Sequence, residues 1–234
     1  MYVYDSTPVM SNCRLRENRA ASGAGMYIHA STPVMTSCAL DRNEAISGAG
    51  GGMYVRDSNP SVVNCSLLSN RSSQSGGGLF LIGSTTTLTL QNSILAYNAS
   101  YNLYAESYNS ATTFIRYNDL YEVTGINHNL ASLHSTNKTI EPGFLAYGSD
   151  GHPSDLHLAT TSGLVNQGNM IYFDVDGTRS DMGGYGGLSG ASWDLDGDAF
   201  NDWFWPGSLL NAPAGVDPDD YDCNDEDPYI QTCP

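Results

Sequence analysis

Met1-Tyr2-Val3-Tyr4-Asp5-Ser6 returns as Met26-Tyr27-Ile28-His29-Ala30-Ser31 and again as Met53-Tyr54-Val55-Arg56-Asp57-Ser58. Two looser copies open at Leu79 and Leu103, so the five openings stand 25, 27, 26 and 24 residues apart. A period near 25 residues means a solenoid, because no single coil of that length buries its own apolar face and each must stack on the next. Within each opening an apolar residue alternates with Tyr or Phe, the period-two pattern of a strand with one buried side.

Working outward from the opening, Ser6-Thr7-Pro8, Ser31-Thr32-Pro33 and Ser58-Asn59-Pro60 end the strand, since proline donates nothing to a ladder and marks a corner. A second short apolar stretch then runs to Cys13, Cys38, Cys65, Ser93 and Thr113. Leu15, Leu40, Leu67, Leu95 and Ile115 follow two residues on, and Asn18, Asn43, Asn70, Asn98 and Asn118 three further. Asn tolerates a left-handed backbone, which suits a sharp corner, and its amide bonds to the Asn above and below in a stack. Glycines such as Gly23, Gly50 and Gly76 let the chain close before the next opening. The pattern predicts an all-β parallel β-helix over residues 1–190 and an irregular Asp-rich cap over 191–234. At about 4.8 Å per coil, five coils span about 24 Å.

Nine Lys and Arg face 25 Asp and Glu, for a formal charge of −16. Such a surface repels nucleic acid and anionic lipid and attracts cations. No run of eighteen apolar residues is present, so membrane insertion is not expected. Met1 stands in phase with Met26 and Met53 and reads as a coil position, which points to a mature fragment or to a chain cut from a longer array. An end that exposes strand edges also favours self-association, end to end or side by side.

The acids concentrate after residue 193, where ten Asp and one Glu meet no Lys or Arg. Asp194, Asp196, Asp198 and Asp202 occupy positions 1, 3, 5 and 9 of a loop, with the Phe200 carbonyl at position 7, a spacing that suits calcium. Trp205 stands where a bidentate Glu would complete an EF-hand, and a solvated acidic turn remains the alternative. A second run holds Asp217, Asp219, Asp222, Asn224, Asp225 and Asp227, and a disulfide between Cys223 and Cys233 would pin its end. Cys13, Cys38 and Cys65 read instead as a stacked row of small side chains, in which disulfides are possible at that spacing and not required.

Leu15-Arg16-Glu17-Asn18 and Leu67-Leu68-Ser69-Asn70, with Gly51-Gly52-Met53 and Gly77-Gly78-Leu79, resemble the F-x-x-N and G-G-A-[I/L/V] repeats of chlamydial polymorphic outer-membrane proteins. They are also similar to the wider group of right-handed, single-stranded β-helix proteins that share the pectate lyase fold. The likeness covers residues 1 to about 125 and implies that fold and an extracellular or cell-surface, bacterial setting, without an activity. Asp222-Cys223-Asn224-Asp225-Glu226-Asp227-Pro228 resembles a metal-binding repeat of bacterial surface proteins and is similar to thrombospondin type 3 calcium repeats, from which its spacing departs.

Signals for catalysis are few. The G-H-G and R-I-K motifs of polygalacturonase-like hydrolases are absent, no Arg stands beside an evident Asp cluster, and Asp5 and Asp57 share a phase two coils apart. Tyr2, Tyr27, Tyr54, Phe80 and Tyr104 form a row that points outward, suited to a partner surface or a sugar and equally to a ladder that stiffens the sheet. The sequence therefore reads as a non-catalytic, calcium-stabilised structural or adhesive solenoid. A polysaccharide-binding or polysaccharide-degrading protein is the alternative.

Overall fold

The computed structural model describes residues 1–122, 127–148, 152–174 and 177–188, with the backbone of 201–202 and 221–222. No helix occurs among the described residues; the chain winds into a parallel β-solenoid. Flank A stacks Tyr2–Tyr4, Met26–His29, Met53–Arg56, Leu79–Ile82 and Leu103–Ala105. Flank B stacks Val9–Ser11, Val34–Thr36, Ser61–Val63, Thr89–Gln91 and Phe114–Arg116. Flank C stacks Arg14–Arg16, Ala39–Asp41, Ser66–Leu68, Ile94–Ala96 and Asp119–Tyr121. Every pairing is parallel and in register, Tyr27 beside Tyr2 and Tyr54, Leu40 beside Leu15 and Leu67.

Strands this short exist because single left-handed residues turn the chain between them. Asp5, Ala30 and Asp57 follow flank A at φ 45, 50 and 46°, and Asn12, Ser37, Asn64, Asn92 and Tyr117 follow flank B at 48 to 57°. Glu17, Arg42, Ser69 and Tyr97 follow flank C at 55 to 58°, and Gly23, Gly50 and Gly76 close the coil. The left-handed residue of the flank C corner is thus the one before the Asn stack, where the sequence pattern had placed the Asn itself. The asparagines lie just past the bend and form the predicted amide ladder. Nδ2 of Asn18 donates to Asn43 at 2.9 Å, Asn43 to Asn70 at 2.9 Å, Asn70 to Asn98 at 3.0 Å, and Asn98 to Asn102 at 2.8 Å.

The register corrects the fifth coil in all three rows, and Asn102 takes the place expected of Asn118 in the amide ladder. Ile115 pairs with Leu90 on flank B, and Leu120 is the partner of Leu95. Thr113 therefore leaves the cysteine row, and Asn118 takes its place, its Oδ1 accepting from the Ser93 N–H at 2.9 Å.

Inside the solenoid, Val3, Ile28, Val55 and Leu81 meet Met10, Met35, Val62 and Leu90 and the Leu40–Leu67–Leu95–Leu120 column. A second apolar cluster lies outside flank C. There Ala39, Leu68, Ile94 and Ala96 are covered by Phe144, Leu156, Leu164 and Met182. Residues 144–148, 152–174 and 177–187 form this covering strap, beginning with an antiparallel pair, Phe144–Tyr147 and Pro153–Leu158. The strap reaches back toward the second coil, where Ser37 Oγ donates to the Gly186 carbonyl at 3.5 Å. From its second strand onward flank C is therefore an interior surface, and flanks A and B remain outward.

Candidate functional site

Flank A displays its aromatic row because every second side chain of a strand faces out. Ring centroids of Tyr2–Tyr27, Tyr27–Tyr54, Tyr54–Phe80 and Phe80–Tyr104 lie 5.4, 4.7, 5.2 and 5.7 Å apart, the last three within 16° of parallel. Exposure falls along the row from 63% at Tyr2 to 6% at Phe80. Burial raises the Tyr54 hydroxyl pKa, with Tyr27 adding to it. Rings stacked face to face along the axis use their faces on one another and offer edges and hydroxyls to the outside. A second outward column, Tyr4, His29, Arg56 and Ile82, runs beside them in register. Tyr4 meets His29 at 5.3 Å, and Arg56 Nε pairs with Asp57 at 3.3 Å.

The carboxylates weighed for catalysis are not brought together: Asp5 and Asp57 hold equivalent corners of the first and third coils, with Ala30 between. Two cations gather instead around one buried carboxylate on flank C. Asp41 Oδ1 accepts from Arg14 Nε at 2.9 Å, Oδ2 from Arg14 Nη2 at 3.2 Å, and Arg16 Nε lies 3.1 Å away, while Glu17 bridges Arg16 and Arg42. This is coil-to-coil bracing.

A cleft of about 310 Å³ opens at the fifth coil between flank B and the 130–134 turn. Tyr108, Phe114, Leu130 and Leu133 give it apolar walls, and Arg116 and His134 give it polar ones. The Arg116 guanidinium sits 4.6 Å from the Phe114 ring centroid, a cation–π contact. His134 Nδ1 accepts from the Thr136 N–H at 3.2 Å, which leaves Nε2–H as the donor of the neutral ring. Sequence reasoning missed this cleft, because its walls come from segments that carry no shared motif.

The predicted ion ligands Asp194, Asp196, Asp198, Phe200, Asp217, Asp219, Asn224, Asp225 and Asp227 lie outside the described residues, as do Cys223 and Cys233. Asp202 and Asp222 enter through their backbone alone. Asn201–Asp202 and Tyr221–Asp222 pair in parallel, setting Asp202 opposite Asp222, one from each acidic run. Among the described residues no group of three His, Cys, Asp or Glu is arranged to hold a metal ion.

The family model for right-handed β-helix regions matches residues 1–141, more than half of the chain, and the chain belongs to that family. No curated protein and no solved structure matches it.

Proposed function

We propose that the chain is a non-catalytic structural or adhesive rod of an extracellular or cell-surface, bacterial setting, associating through flank A. The supporting observation is the stacked Tyr2–Tyr27–Tyr54–Phe80–Tyr104 row on an open flank, while flank C is already covered by the chain itself. A flat column of ring edges and hydroxyls suits a protein surface, a second copy included, because it buries apolar area over several coils at once. Sedimentation velocity tests the reading. The native chain should associate with rising concentration, Tyr27→Ser with Tyr54→Ser should stay monomeric, and the Tyr27→Phe, Tyr54→Phe pair should associate. A native chain that is monomeric throughout and retains no cell-surface partner would sink it.

Calcium held by the acidic tail belongs to the same proposal, supported by the carboxylate spacing from Asp194 to Asp202. Chelation should lower the melting temperature, and Asp196→Asn with Asp198→Asn should remove that response. Identical melting with and without calcium would end the idea.

A second reading, a polysaccharide-binding or polysaccharide-degrading protein, draws on the cleft, whose volume of about 310 Å³ admits a small sugar and whose Arg116 faces no carboxylate partner among the described residues. Retention on a glycan panel that is lost in Arg116→Ala would favour it. Release of reducing ends or unsaturated uronates would make it an enzyme, and silence in both assays removes it.

A further inference from the structure

Cys13, Cys38 and Cys65 occupy one corner position in the first three coils. Each Sγ donates to the carbonyl two residues back, at 3.2, 3.2 and 3.3 Å, the same bond that Ser93 Oγ makes at 2.8 Å in the fourth coil. Ala39 N–H donates to the Cys13 carbonyl and Ser66 N–H to the Cys38 carbonyl, both at 2.9 Å, so the three residues are stacked in register. Adjacent parallel strands hold equivalent Cα atoms about 4.8 Å apart, inside the span of about 4.4–6.8 Å that a disulfide bridges. Neighbouring thiols are close enough to shift one another's ionisation, Cys13 with Cys38 and Cys38 with Cys65.

We propose that Cys13 and Cys38 are an oxidisable pair that closes to a disulfide between the first and second coils when a small disulfide oxidant is present, leaving Cys65 reduced. Access selects the pair. Cys13 is half-buried, whereas Cys38 and Cys65 are fully buried, so an incoming disulfide reaches Cys13 first. Cys38 then acts as the resolving thiol. The neighbouring Cys65 thiol draws its pKa down to about 7 against the opposing effect of burial, while burial pushes the Cys65 pKa up. With oxidised glutathione, the Cys13 thiolate attacks one sulfur, forms a mixed disulfide and expels one glutathione thiolate. The Cys38 thiolate attacks Cys13 Sγ and expels the second. Two protein thiols lose two electrons and two protons, and one glutathione disulfide becomes two thiols.

The test is a thiol map of the full chain after incubation with oxidised glutathione, acid quench, unfolding, alkylation and trypsin. Cys13, Cys38 and Cys65 fall on separate peptides, 1–14, 20–42 and 57–71, and both tail cysteines on 180–234. The expected product links 1–14 to 20–42 and leaves Cys65 alkylated. Cys38→Ser retains the corner bond that Ser93 makes, and should instead trap a glutathionyl group on Cys13; Cys65→Ser should still form the link. Alkyl label on all three cysteines, a link between 20–42 and 57–71, an unmodified Cys13 in Cys38→Ser, or a link that forms equally fast in urea would each overturn the proposal.

Discussion

Asn70 is held by four side-chain bonds: its Oδ1 accepts from Asn43 N–H and Nδ2 at 3.0 and 2.9 Å, and its Nδ2 donates to Leu40 O and Asn98 Oδ1 at 2.8 and 3.0 Å. Asn70→Ala leaves the Asn43 N–H unpaired in a fully buried place and takes the second bond from the Leu40 carbonyl, and should cost about 3 kcal/mol, read from urea midpoints. A loss under about 1 kcal/mol would mean that the ladder is incidental. Asp119 makes the opposite case. It is fully buried, its Oδ1 accepts from the Ile140 N–H at 2.9 Å, its Oδ2 has no partner, and burial pushes its pKa up to about 7. The folded state therefore binds this proton more tightly than the unfolded chain. Its contribution is full below about pH 4 and is lost as pH rises toward 7. Asp119→Asn should flatten that decline and raise the melting temperature at pH 8; an unchanged pH profile would refute the assignment. At this scale the sequence displayed the Asn column because one residue type repeats at one phase. The left-handed corner before it was illegible, since Glu17, Arg42, Ser69 and Tyr97 share a backbone angle and no side-chain chemistry.

Among elements, the fifth coil shows why a motif misleads where a count does not. Thr113-x-Ile115-x-x-Asn118 repeats the spacing of Ser93-x-Leu95-x-x-Asn98, yet Ile115 stands 12 residues after its opening at Leu103, close to the 11 that separate Leu90 from Leu79. Leu95 and Leu120 lie 16 and 17 residues after theirs, and they pair. The strap carries no comparable signal, because Phe144, Leu156, Leu164 and Met182 follow no period and depend on a surface that only the folded coils create. The two apolar clusters are separate, so Leu156→Arg should loosen the strap alone. Hydrogen exchange should rise over 144–187 and over flank C while flanks A and B stay protected; uniform acceleration would show the clusters to be one unit. Coil contact is stricter. A Cβ at Gly77 would stand 1.9 Å from the Ala99 carbonyl, whereas one at Gly177 meets nothing within 4 Å. Gly77→Ala should therefore lower the melting temperature far more than Gly177→Ala, whose cost is confined to its left-handed backbone at φ 80°.

For the molecule as a whole, a formal charge of −16 sets a self-repulsion that salt screens over about 8–10 Å at physiological strength. Adding sodium chloride should raise the melting temperature, and the gain should shrink once calcium is supplied; a fall with salt would mean that the Arg14–Asp41–Arg16 bracing outweighs the repulsion. The return of the strap has a mechanical consequence. Hydrogen bonds tie Ser37 to Gly186, Asn64 to Ser180 and Asn92 to Asn169, residues 149, 116 and 77 positions apart. Tension applied between residues 1 and 188 would thus enter near the second coil and load the strap's attachments before it could unwind the later turns. The rod would then resist as a buckled belt does, rupturing in one abrupt event where an unfastened coil would pay out turn by turn.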